Sequence, residues 1–170
     1  MELMVTLVIA GILASIAAPS FRNVIQNNRM TTQYNDLLAS LSLARSEAIK
    51  QGEDVIALSN NGTSWENGWT VFIDDDGDGV VDNAEIIRVN ANLSGNNTLT
   101  FPSDRITYAS SGLATGSNNG DLFSLCDDRN ESYAKGLVIN TTGRLGHAAD
   151  TNGNNIVDNG LIPLVEVVCP

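Results

Sequence analysis

The sequence predicts an α+β fold in which one long N-terminal helix packs against an antiparallel β-sheet head. The chain of 170 residues begins with an almost uncharged apolar run, after which apolar residues recur at three- and four-residue steps up to Gly52, as in a helix. Beyond Gly52 they fall in short runs separated by Gly, Asn and Asp, as is typical of strands and turns. We therefore expect a helical part at residues 1–52 and a β-rich head at residues 53–170.

The first part of the predicted helix, residues 1–21, has the composition of a membrane-spanning segment. Residues 3–21 are nineteen positions without a charge, and a helix of that length spans ~28 Å, close to the ~30 Å of a bilayer core. A cleaved signal peptide is the alternative, but Glu2 stands where basic residues should precede its apolar run. A carboxylate beside such a run is usually paired. Because no basic residue lies near Glu2 in the sequence, we expect its partner on another molecule.

The second part of the helix, residues 22–52, is amphipathic, with an apolar stripe that we expect to pack against a domain. The stripe consists of Met30, Tyr34, Leu37, Leu38, Leu41, Ala44, Ala48 and Ile49. Gly52 predicts the end of the helix, with Lys50 in its last turn. Within the apolar part, Pro19 removes a backbone hydrogen bond and crowds the preceding turn, which predicts a kink or an unwound stretch at residues 14–19.

The stretch ELMVTLVIAGILASIAAPSF, residues 2–21, resembles the N-terminus of type IV pilins and type II secretion pseudopilins. That family pairs a glutamate with an apolar run and a helix-breaking proline. The resemblance implies that Glu2 neutralises the N-terminal amine of a neighbouring subunit during assembly, and that Pro19 marks where the helix loosens in the filament. Family precursors carry a short basic leader and further residues before the glutamate, whereas Met1 directly precedes Glu2. We expect that the leader and the first mature residues are absent from this sequence.

The head is predicted to contain short strands and no second long helix, which favours an antiparallel sheet folded onto the helix stripe. The predicted strands are Val55–Ser59, Trp69–Ile73, Ile86–Asn90, Arg105–Tyr108, Leu122–Cys126, Leu137–Asn140 and Leu164–Cys169. Trp65 and Trp69 are expected to pack the first hairpin, and ligand binding is the alternative role.

The fragments LARSEAIKQG, WENGWTVFIDDDGDG, LCD and INTTGRLG resemble the H-type pseudopilins and the FimT- and FimU-like minor pilins, the GspH/FimT family.

This resemblance implies a minor pilin or pseudopilin that takes part in starting or assembling a filament. It implies a single-pass inner-membrane protein with its head in the periplasm before assembly, and a filament subunit afterwards. The expected partners are other pilins, contacted through the N-terminal helix, and the inner-membrane assembly platform. Type IV pilus and type II secretion pseudopilus both remain open.

The motif with the most distinctive chemistry is the acidic stretch from Asp74 to Glu85. It matches the twelve-residue calcium loop, with acids at positions one, three, five and nine, glycine at six and glutamate at twelve. The expected calcium ligands are Asp74, Asp76, Asp78, the carbonyl of Val80, Asp82 and Glu85. The flanks are predicted strands and not the helices of an EF-hand, and an acidic, solvated turn is the alternative.

A weaker copy of this pattern runs from Asp150 to Leu161. It keeps oxygen-bearing side chains at positions one, three, five and nine, but has Asn155 at position six and Leu161 at position twelve. Since the bidentate glutamate is missing, this stretch is expected to be a turn.

The charge distribution opposes nucleic-acid binding. Four basic against three acidic residues give residues 1–52 a net charge of +1, so the total of −11 leaves −12 for residues 53–170. Such a head repels phosphate backbones. Gly143-Arg144 resembles a motif with which some FimT-like minor pilins hold DNA, but Leu145 and Gly146 follow, so the second arginine of that motif is missing. DNA binding in natural transformation is the alternative function.

The two cysteines, Cys126 and Cys169, fit no metal-binding spacing. In an oxidising compartment a disulfide is expected, and closing such a long loop stabilises by ~3–4 kcal/mol. Two unrelated buried thiols are the alternative.

Enzymatic activity is not expected. His147, the only histidine, lies in a stretch rich in Gly and Asn without a nucleophile and base in a recognisable arrangement. No phosphate-binding glycine loop joins a predicted strand to a helix.

Overall fold

The computed structural model describes residues 2–116 and 119–170, without the side chains of Glu2, Ala14 and residues 16–19. Its longest element is helix α1, Glu2–Gln51. Gly52 ends the helix in a left-handed conformation, φ +77°, and its N–H donates to the carbonyl of Ala48 at 3.0 Å. A glycine with this conformation is typical of helix C-termini. The predicted end of the helix is therefore confirmed.

Helix α1 is continuous through residues 14–19, so the unwound stretch predicted there is absent from the single chain. A proline removes only one intrahelical hydrogen bond, and the neighbouring turns remain helical on both sides. The family resemblance implies that the helix loosens near Pro19 in the filament. This stays a prediction, and the side chain of Pro19 lies outside the described part.

The amphipathic half of α1 packs on the head through the predicted stripe. The buried positions are spaced alternately by four and three residues: Met30, Tyr34, Leu37, Leu41, Ala44 and Ala48. Leu38 is half-buried at the edge of the stripe. Ile49 was expected in the stripe but is 54% exposed. The reason is geometric, because each helical step turns by about 100°, which carries Ile49 away from the face that Ala48 buries.

Nine strands follow α1 within the described residues. They are β1 Val55–Ser59, β2 Trp69–Ile73, β3 Ile86–Asn90, β4 Thr98–Thr100, β5 Arg105–Tyr108, β6 Ala114–Thr115, β7 Asp121–Cys126, β8 Lys135–Ile139 and β9 Leu145–His147. Two short 3-10 helices, Trp65–Asn67 and Glu131–Tyr133, precede β2 and β8.

The strands form two antiparallel sheets. The order is β3-β2-β1-β5-β6 in the first sheet and β4-β7-β8-β9 in the second. In the first sheet β1 is central, and its Val55 lies opposite Ile73 of β2 and Tyr108 of β5. The α+β class with an antiparallel head on a long helix is confirmed. The division into two sheets was not predicted, because it depends on β4 pairing with β7.

Four predicted strands have the predicted bounds, namely β1, β2, β3 and β5. Strand β7 begins one residue earlier than expected, and β8 lies at Lys135–Ile139 instead of Leu137–Asn140. The predicted strand Leu164–Cys169 is wrong, since this segment has only an isolated bridge, between Glu166 and Asp158. Its partner is a loop, so the ladder cannot extend. Strands β4, β6 and β9 were missed because two or three residues are too few to show an alternation.

Both tryptophans belong to the main core, as predicted. Trp65 is 0% and Trp69 is 1% exposed. The Trp65 ring stands at right angles to Phe123, with 5.0 Å between ring centroids, and at 6.4 Å from Trp69. A smaller cluster lies apart from this core and includes Leu122, Cys126, Ala134, Val138 and Val167. The main core holds α1 against the head, and the smaller cluster anchors the C-terminal segment.

Candidate functional site

The acidic loop, residues 74–85, connects β2 to β3. It brings together three of the predicted ligands, because one carboxylate oxygen from each of Asp74, Asp76 and Asp78 lies within 4.8 Å of the other two. Like charges at such distances repel one another. Oxygen ligands converging from one tight loop are what Ca²⁺ requires, so the arrangement fits a hard cation.

The loop keeps this shape through hydrogen bonds from its own backbone. The carboxylate of Asp74 accepts from the N–H of Gly79 at 3.0 Å, and that of Asp78 accepts from the N–H of Val80 at 2.7 Å. The carboxylate of Asp76 accepts from the N–H of Asp78 at 3.1 Å. Gly79 has φ +69°, which glycine adopts without steric cost. Position six of the loop is therefore suited to glycine, because its backbone lies in the left-handed region.

Glu85 reaches back to the start of the loop. Its Oε1 accepts from the N–H of Asp75 at 3.1 Å, and its carbonyl accepts from the N–H of Ile73 at 3.0 Å. Its Oε2 is buried and has no hydrogen-bond partner among the described residues. Buried polar atoms are usually paired, so this unpaired oxygen is a second indication of a cation ligand.

The remaining predicted ligands lie outside the cluster of three carboxylates. Asp82 and Glu85 are not members of it, and Val80 is 58% exposed. The carbonyl of Asp82 accepts from the N–H of Glu85 at 3.1 Å. The guanidinium of Arg105 donates to the carbonyl of Gly79 at 3.3 Å, which fixes the middle of the loop. Three of the six predicted ligands are therefore close together. The other three would have to move toward an ion to complete its shell.

The second loop, residues 150–161, has the same turn but uses its acids differently. Asp158 is 1% exposed. Its carboxylate accepts from the N–H and the hydroxyl of Thr151 at 2.8 and 2.7 Å, and from the N–H of Gly160 at 2.8 Å. Burial would raise the pKa of Asp158, but these hydrogen bonds outweigh it and lower the pKa. Asp158 therefore holds the loop together and is not turned toward a ligand.

The C-terminal segment is fixed to this second loop and to β7. Cys126 and Cys169 form a disulfide, with 5.8 Å between their Cα atoms. Glu166 accepts from the side-chain amides of Asn152 and Asn154 at 2.7 and 2.8 Å. The disulfide therefore joins the segment to the end of β7, although the segment itself is not the strand that was predicted.

The N-terminal part of α1 projects from the head and exposes many apolar side chains among its described residues. Every residue from 3 to 13 is exposed, and further along the helix Phe21, Val24 and Ile25 are 69%, 52% and 54% exposed. Contact with the head begins at Gln26, whose amide donates to the carboxylate of Asp128. An apolar surface of this extent is expected to be covered by a partner.

Within the described residues no helix is long and apolar enough to cross a membrane. The span predicted from the sequence, 1–21, includes Met1 and the side chains of Ala14 and residues 16–19, which lie outside the described part. The side chain of Glu2, the predicted partner of a neighbouring amine, lies outside it too.

A family model described as type II transport protein GspH matches residues 33–143. This stretch is more than half of the chain and contains the buried stripe of α1 from Tyr34 to Ala48, the first sheet, most of the second and the acidic loop. The chain belongs to the GspH family. Membership makes it a pilin-like structural subunit of the kind found in type II secretion systems and type IV pili, and not an enzyme.

Crystal structures of the type IV minor pilin FimU from Pseudomonas aeruginosa strain PAO1 share the fold of this GspH-family chain. The structure in space group P21 has a TM-score of 0.59 at 20% identity and covers 73% of this chain and 91% of FimU. The structure in space group P65 has a TM-score of 0.56 at 20% identity and covers 70% and 92%. At this identity the likeness shows the fold alone. No curated protein matches the chain.

Gly143 of this GspH-family chain has a structural reason to be glycine. A Cβ there would lie 2.1 Å from the carbonyl oxygen of Gly112. Arg144 is exposed and lines a cleft of about 390 Å³ together with Arg45. The Arg45 guanidinium already donates to the carbonyls of Gly112 and Thr142 at 3.1 and 3.2 Å. Of the two arginines, Arg144 is the more exposed residue.

Two polar contacts between α1 and the head were missed at the level of sequence. The Tyr34 hydroxyl and His147 Nδ1 are 2.6 Å apart, and burial raises the pKa of Tyr34 to about 12. Arg129 donates to Asn27 at 2.9 Å and to Asp127 at 2.8 Å. Burial would raise the pKa of Asp127, but its hydrogen bonds with Arg129 lower it. Tyr34 and His147, like Asn27 and Arg129, are more than 100 residues apart in sequence, so no local signal identifies either contact.

Proposed function

We propose that this chain is a minor pilin or pseudopilin that takes part in initiating or assembling a filament. The observation that carries the proposal is the apolar surface of α1 formed by the exposed side chains at residues 3–13 and at Phe21, Val24 and Ile25, which projects beyond the head. In this proposal the helix packs among the helices of other subunits, and the head is displayed outside. Membership of the GspH family supports the same role.

The proposal includes a location before assembly, with residues 1–21 inserted in the inner membrane and the head in the periplasm. The uncharged run at residues 3–21 supports insertion. The disulfide between Cys126 and Cys169 supports an oxidising compartment for the head. The inner-membrane assembly platform is then the machinery that takes up the subunit.

Glu2 and Pro19 have roles within this proposal. Glu2 would neutralise the N-terminal amine of a neighbouring subunit, because nothing basic lies near it in its own sequence. Replacing Glu2 by Ala should leave the protein folded and membrane-inserted but deplete it from sheared filaments. Pro19 would mark the point where α1 loosens as it enters the filament. Normal recovery of the Ala variant in filaments would contradict the role of Glu2.

The apolar surface is tested by placing a charge on it. Ile25→Asp should strongly reduce the fraction of the protein found in sheared filaments, because Ile25 is 54% exposed on α1 and burying a charge between helices is costly. Val89→Asp is the matched control, since Val89 is 61% exposed but lies on β3 of the head. Equal incorporation of both variants would rule out packing through residues 3–25.

We further propose that the acidic loop binds calcium in the head. The grouping of three carboxylates and the unpaired Glu85 oxygen support this. Asp74, Asp76 and Asp78 would hold the ion, and Asp82, Glu85 and the Val80 carbonyl would complete its oxygen ligands. A bound ion would supply positive charge that relieves the repulsion of the empty loop, and so would stabilise the head.

A DNA-binding minor pilin acting in DNA uptake is the rival proposal, favoured by the exposed Arg144 beside Arg45. The charge of −12 on residues 53–170 opposes it. A gel shift at low salt distinguishes the two, because a DNA receptor would retard DNA and lose this activity in Arg144→Ala.

A further inference from the structure

A second cleft, separate from the acidic loop, lies between the middle of α1 and the chain that follows β3. Its volume is about 380 Å³, which is within the range of small-ligand pockets. Among the residues that line it are Arg29, Gln33, Asp36, Trp69 and Asn90. The family likeness assigns it no role.

Two of the side chains that line this cleft carry a hydrogen-bond donor for which the described part of the chain offers no partner. Trp69 is 1% exposed, and its Nε1 and the side-chain Nδ2 of Asn90 are buried without a hydrogen-bond partner among the described residues. The orientation of the Asn90 amide is fixed, because its Oδ1 accepts from Arg88 Nε at 3.1 Å and lies 3.3 Å from the Ser40 hydroxyl. Flipping the amide would place two donors against each other, so Nδ2 cannot exchange places with Oδ1.

The other tryptophan shows that this fold can pair a buried indole. Trp65 is as deeply buried as Trp69, but its Nε1 donates to the carbonyl of Ser103 at 2.9 Å. Buried donors in proteins are normally paired. The difference between the two indoles therefore indicates that the partner of Trp69 is a group that enters the cleft.

The charges around the cleft define the chemistry of that group. The unpaired side chains are both donors, and Arg29 adds a cation. Arg29 also lies close enough to Asp127, outside the lining of the cleft, to help lower the pKa of that carboxyl, after its hydrogen bonds with Arg129. Asp36 is the acid on the wall, and it faces Arg88 at 3.9 Å. The Gln33 amide is already used, since it donates to the carbonyl of Ser94 and accepts from Asn97. An acceptor with a negative charge matches what is left over.

We propose that this cleft binds a carboxylate group, held by Trp69 Nε1, Asn90 Nδ2 and the guanidinium of Arg29. Charge-assisted hydrogen bonds of this kind are about twice as strong as neutral ones. The carboxylate comes either from a free small molecule or from a side chain of a second copy of this chain. The chemistry is the same in both cases, and the experiment separates the sources.

The test uses the full chain, labelled with ¹⁵N, in a neutral detergent without carboxylates. The chain has two tryptophans, so its spectrum contains two indole N–H signals, which Trp65→Phe assigns. Titration with N-acetylglycine should shift the Trp69 signal in a saturable way and leave the Trp65 signal in place. The neutral N-acetylglycine amide should bind at least about tenfold more weakly, because it lacks the charge that Arg29 recognises.

Matched variants test the assignment of the residues. Arg29→Gln should weaken binding of N-acetylglycine about tenfold, whereas Arg22→Gln, an exposed arginine on α1 outside the cleft, should leave it unchanged. Asn90→Leu should abolish binding while the unshifted Trp65 signal reports an intact core. Equal affinities of the two arginine variants would overturn the carboxylate assignment.

The source of the carboxylate is found by diluting the protein without added ligand. A Trp69 signal that moves with protein concentration identifies a second copy, and one that responds only to N-acetylglycine identifies a free carboxylate. If neither N-acetylglycine nor concentration moves the Trp69 signal, the cleft holds only water and the proposal is wrong. It is equally wrong if both indole signals move together.

Discussion

Two loops of the head, residues 74–85 and 150–161, share one turn but differ in what their acids contact. In both, the first residue accepts through its carboxylate from the N–H of the sixth, at 3.0 Å for Asp74 and 2.9 Å for Asp150. The side chains at positions three and five accept from the N–H groups two residues further on in both loops. The backbone scaffold is thus the same.

The difference lies in the acids that remain. In the first loop three carboxylates stand together, and an oxygen of Glu85 is buried with no hydrogen-bond partner among the residues that the structure describes. In the second, Asp158 accepts hydrogen bonds from Thr151 within the loop, and Glu166 of the C-terminal segment accepts from Asn152 and Asn154. The comparison teaches that the same calcium-loop turn can group acidic oxygens, as a cation site would require, or can use them to hold the loop and its neighbouring segment together.

The largest expected effect comes from reducing the disulfide. It closes a loop of 43 residues and should contribute ~4 kcal/mol. Because it holds the segment that carries Glu166, reduction should speed amide exchange at residues 150–161 and leave residues 74–85 unchanged. Hydrogen exchange of the full chain in detergent measures this. Equal changes in both loops would mean that the second loop does not depend on the C-terminal segment.

Calcium should have the next largest effect, and only through the first loop. At a free concentration ~100 times the dissociation constant, binding stabilises by ~2.7 kcal/mol, and extracellular calcium sites bind at ~0.1–1 mM. Millimolar calcium should therefore raise the melting temperature of the full chain by several degrees relative to EDTA. Magnesium should do less, because it requires a tighter octahedral shell.

The matched variants for calcium are Glu85→Gln and Glu166→Gln. The first should remove most of the calcium-dependent stabilisation, because it takes away the charge of the unpaired carboxylate. The second keeps an oxygen acceptor for Asn152 and Asn154 and should leave the calcium response intact. Identical melting curves in calcium and EDTA would reduce the first loop to an acidic turn.

A smaller effect, confined to acidic pH, is expected from Asp158. Its pKa is lowered in the folded protein, so its contribution is present above the unfolded value of about 3.9 and is lost as pH falls through the folded pKa. Asp158→Asn should lower the melting temperature at neutral pH, and the gap to wild type should narrow below about pH 4. A gap that stays constant with pH would show that the ionised carboxylate is not what stabilises the second loop.

The smallest effect concerns position six of each loop. Gly79 and Asn155 have φ +69° and +66°, a region that costs other residues ~1–2 kcal/mol but that Asn tolerates. Gly79→Ala should therefore destabilise by about 1 kcal/mol, with the new Cβ 3.2 Å from Arg105 Nη1. Gly79→Asn should cost less than Gly79→Ala in thermal unfolding. The reverse order would show that the contact with Arg105, and not the backbone, requires glycine.

Much of the fold could be predicted because its signals are local. The end of α1 at Gly52, the buried stripe from Met30 to Ala48, and the bounds of β1, β2, β3 and β5 all follow from spacing and turn residues. The terminal strand was wrongly predicted from an apolar run, since Glu166 and Val167 pair with a loop and not with a strand. A run of apolar residues does not specify what it will pair with.

The candidate sites, like the fold, could be predicted from the sequence only in part. The spacing from Asp74 to Glu85 predicted the acidic loop, and three of its carboxylates do stand together. That Asp82 lies outside this cluster could not be predicted, because spacing does not determine how far a loop closes. The cleft at Trp69 and Asn90 has no signal in the sequence, since its walls come from α1, from the start of β2, and from the end of β3 and the chain after it.

The sequence by itself determined the class of this protein, its single long helix, its acidic head and its family, because each depends on composition, periodicity or motif. Only the tertiary structure decided that the head has two sheets and that Glu166 contacts the second loop. It also decided that one buried indole finds a hydrogen-bond partner among the described residues while the other does not. The physical reason is that a hydrogen bond between distant residues depends on where both partners are carried by the packed core. The local sequence of either partner contains no record of that position.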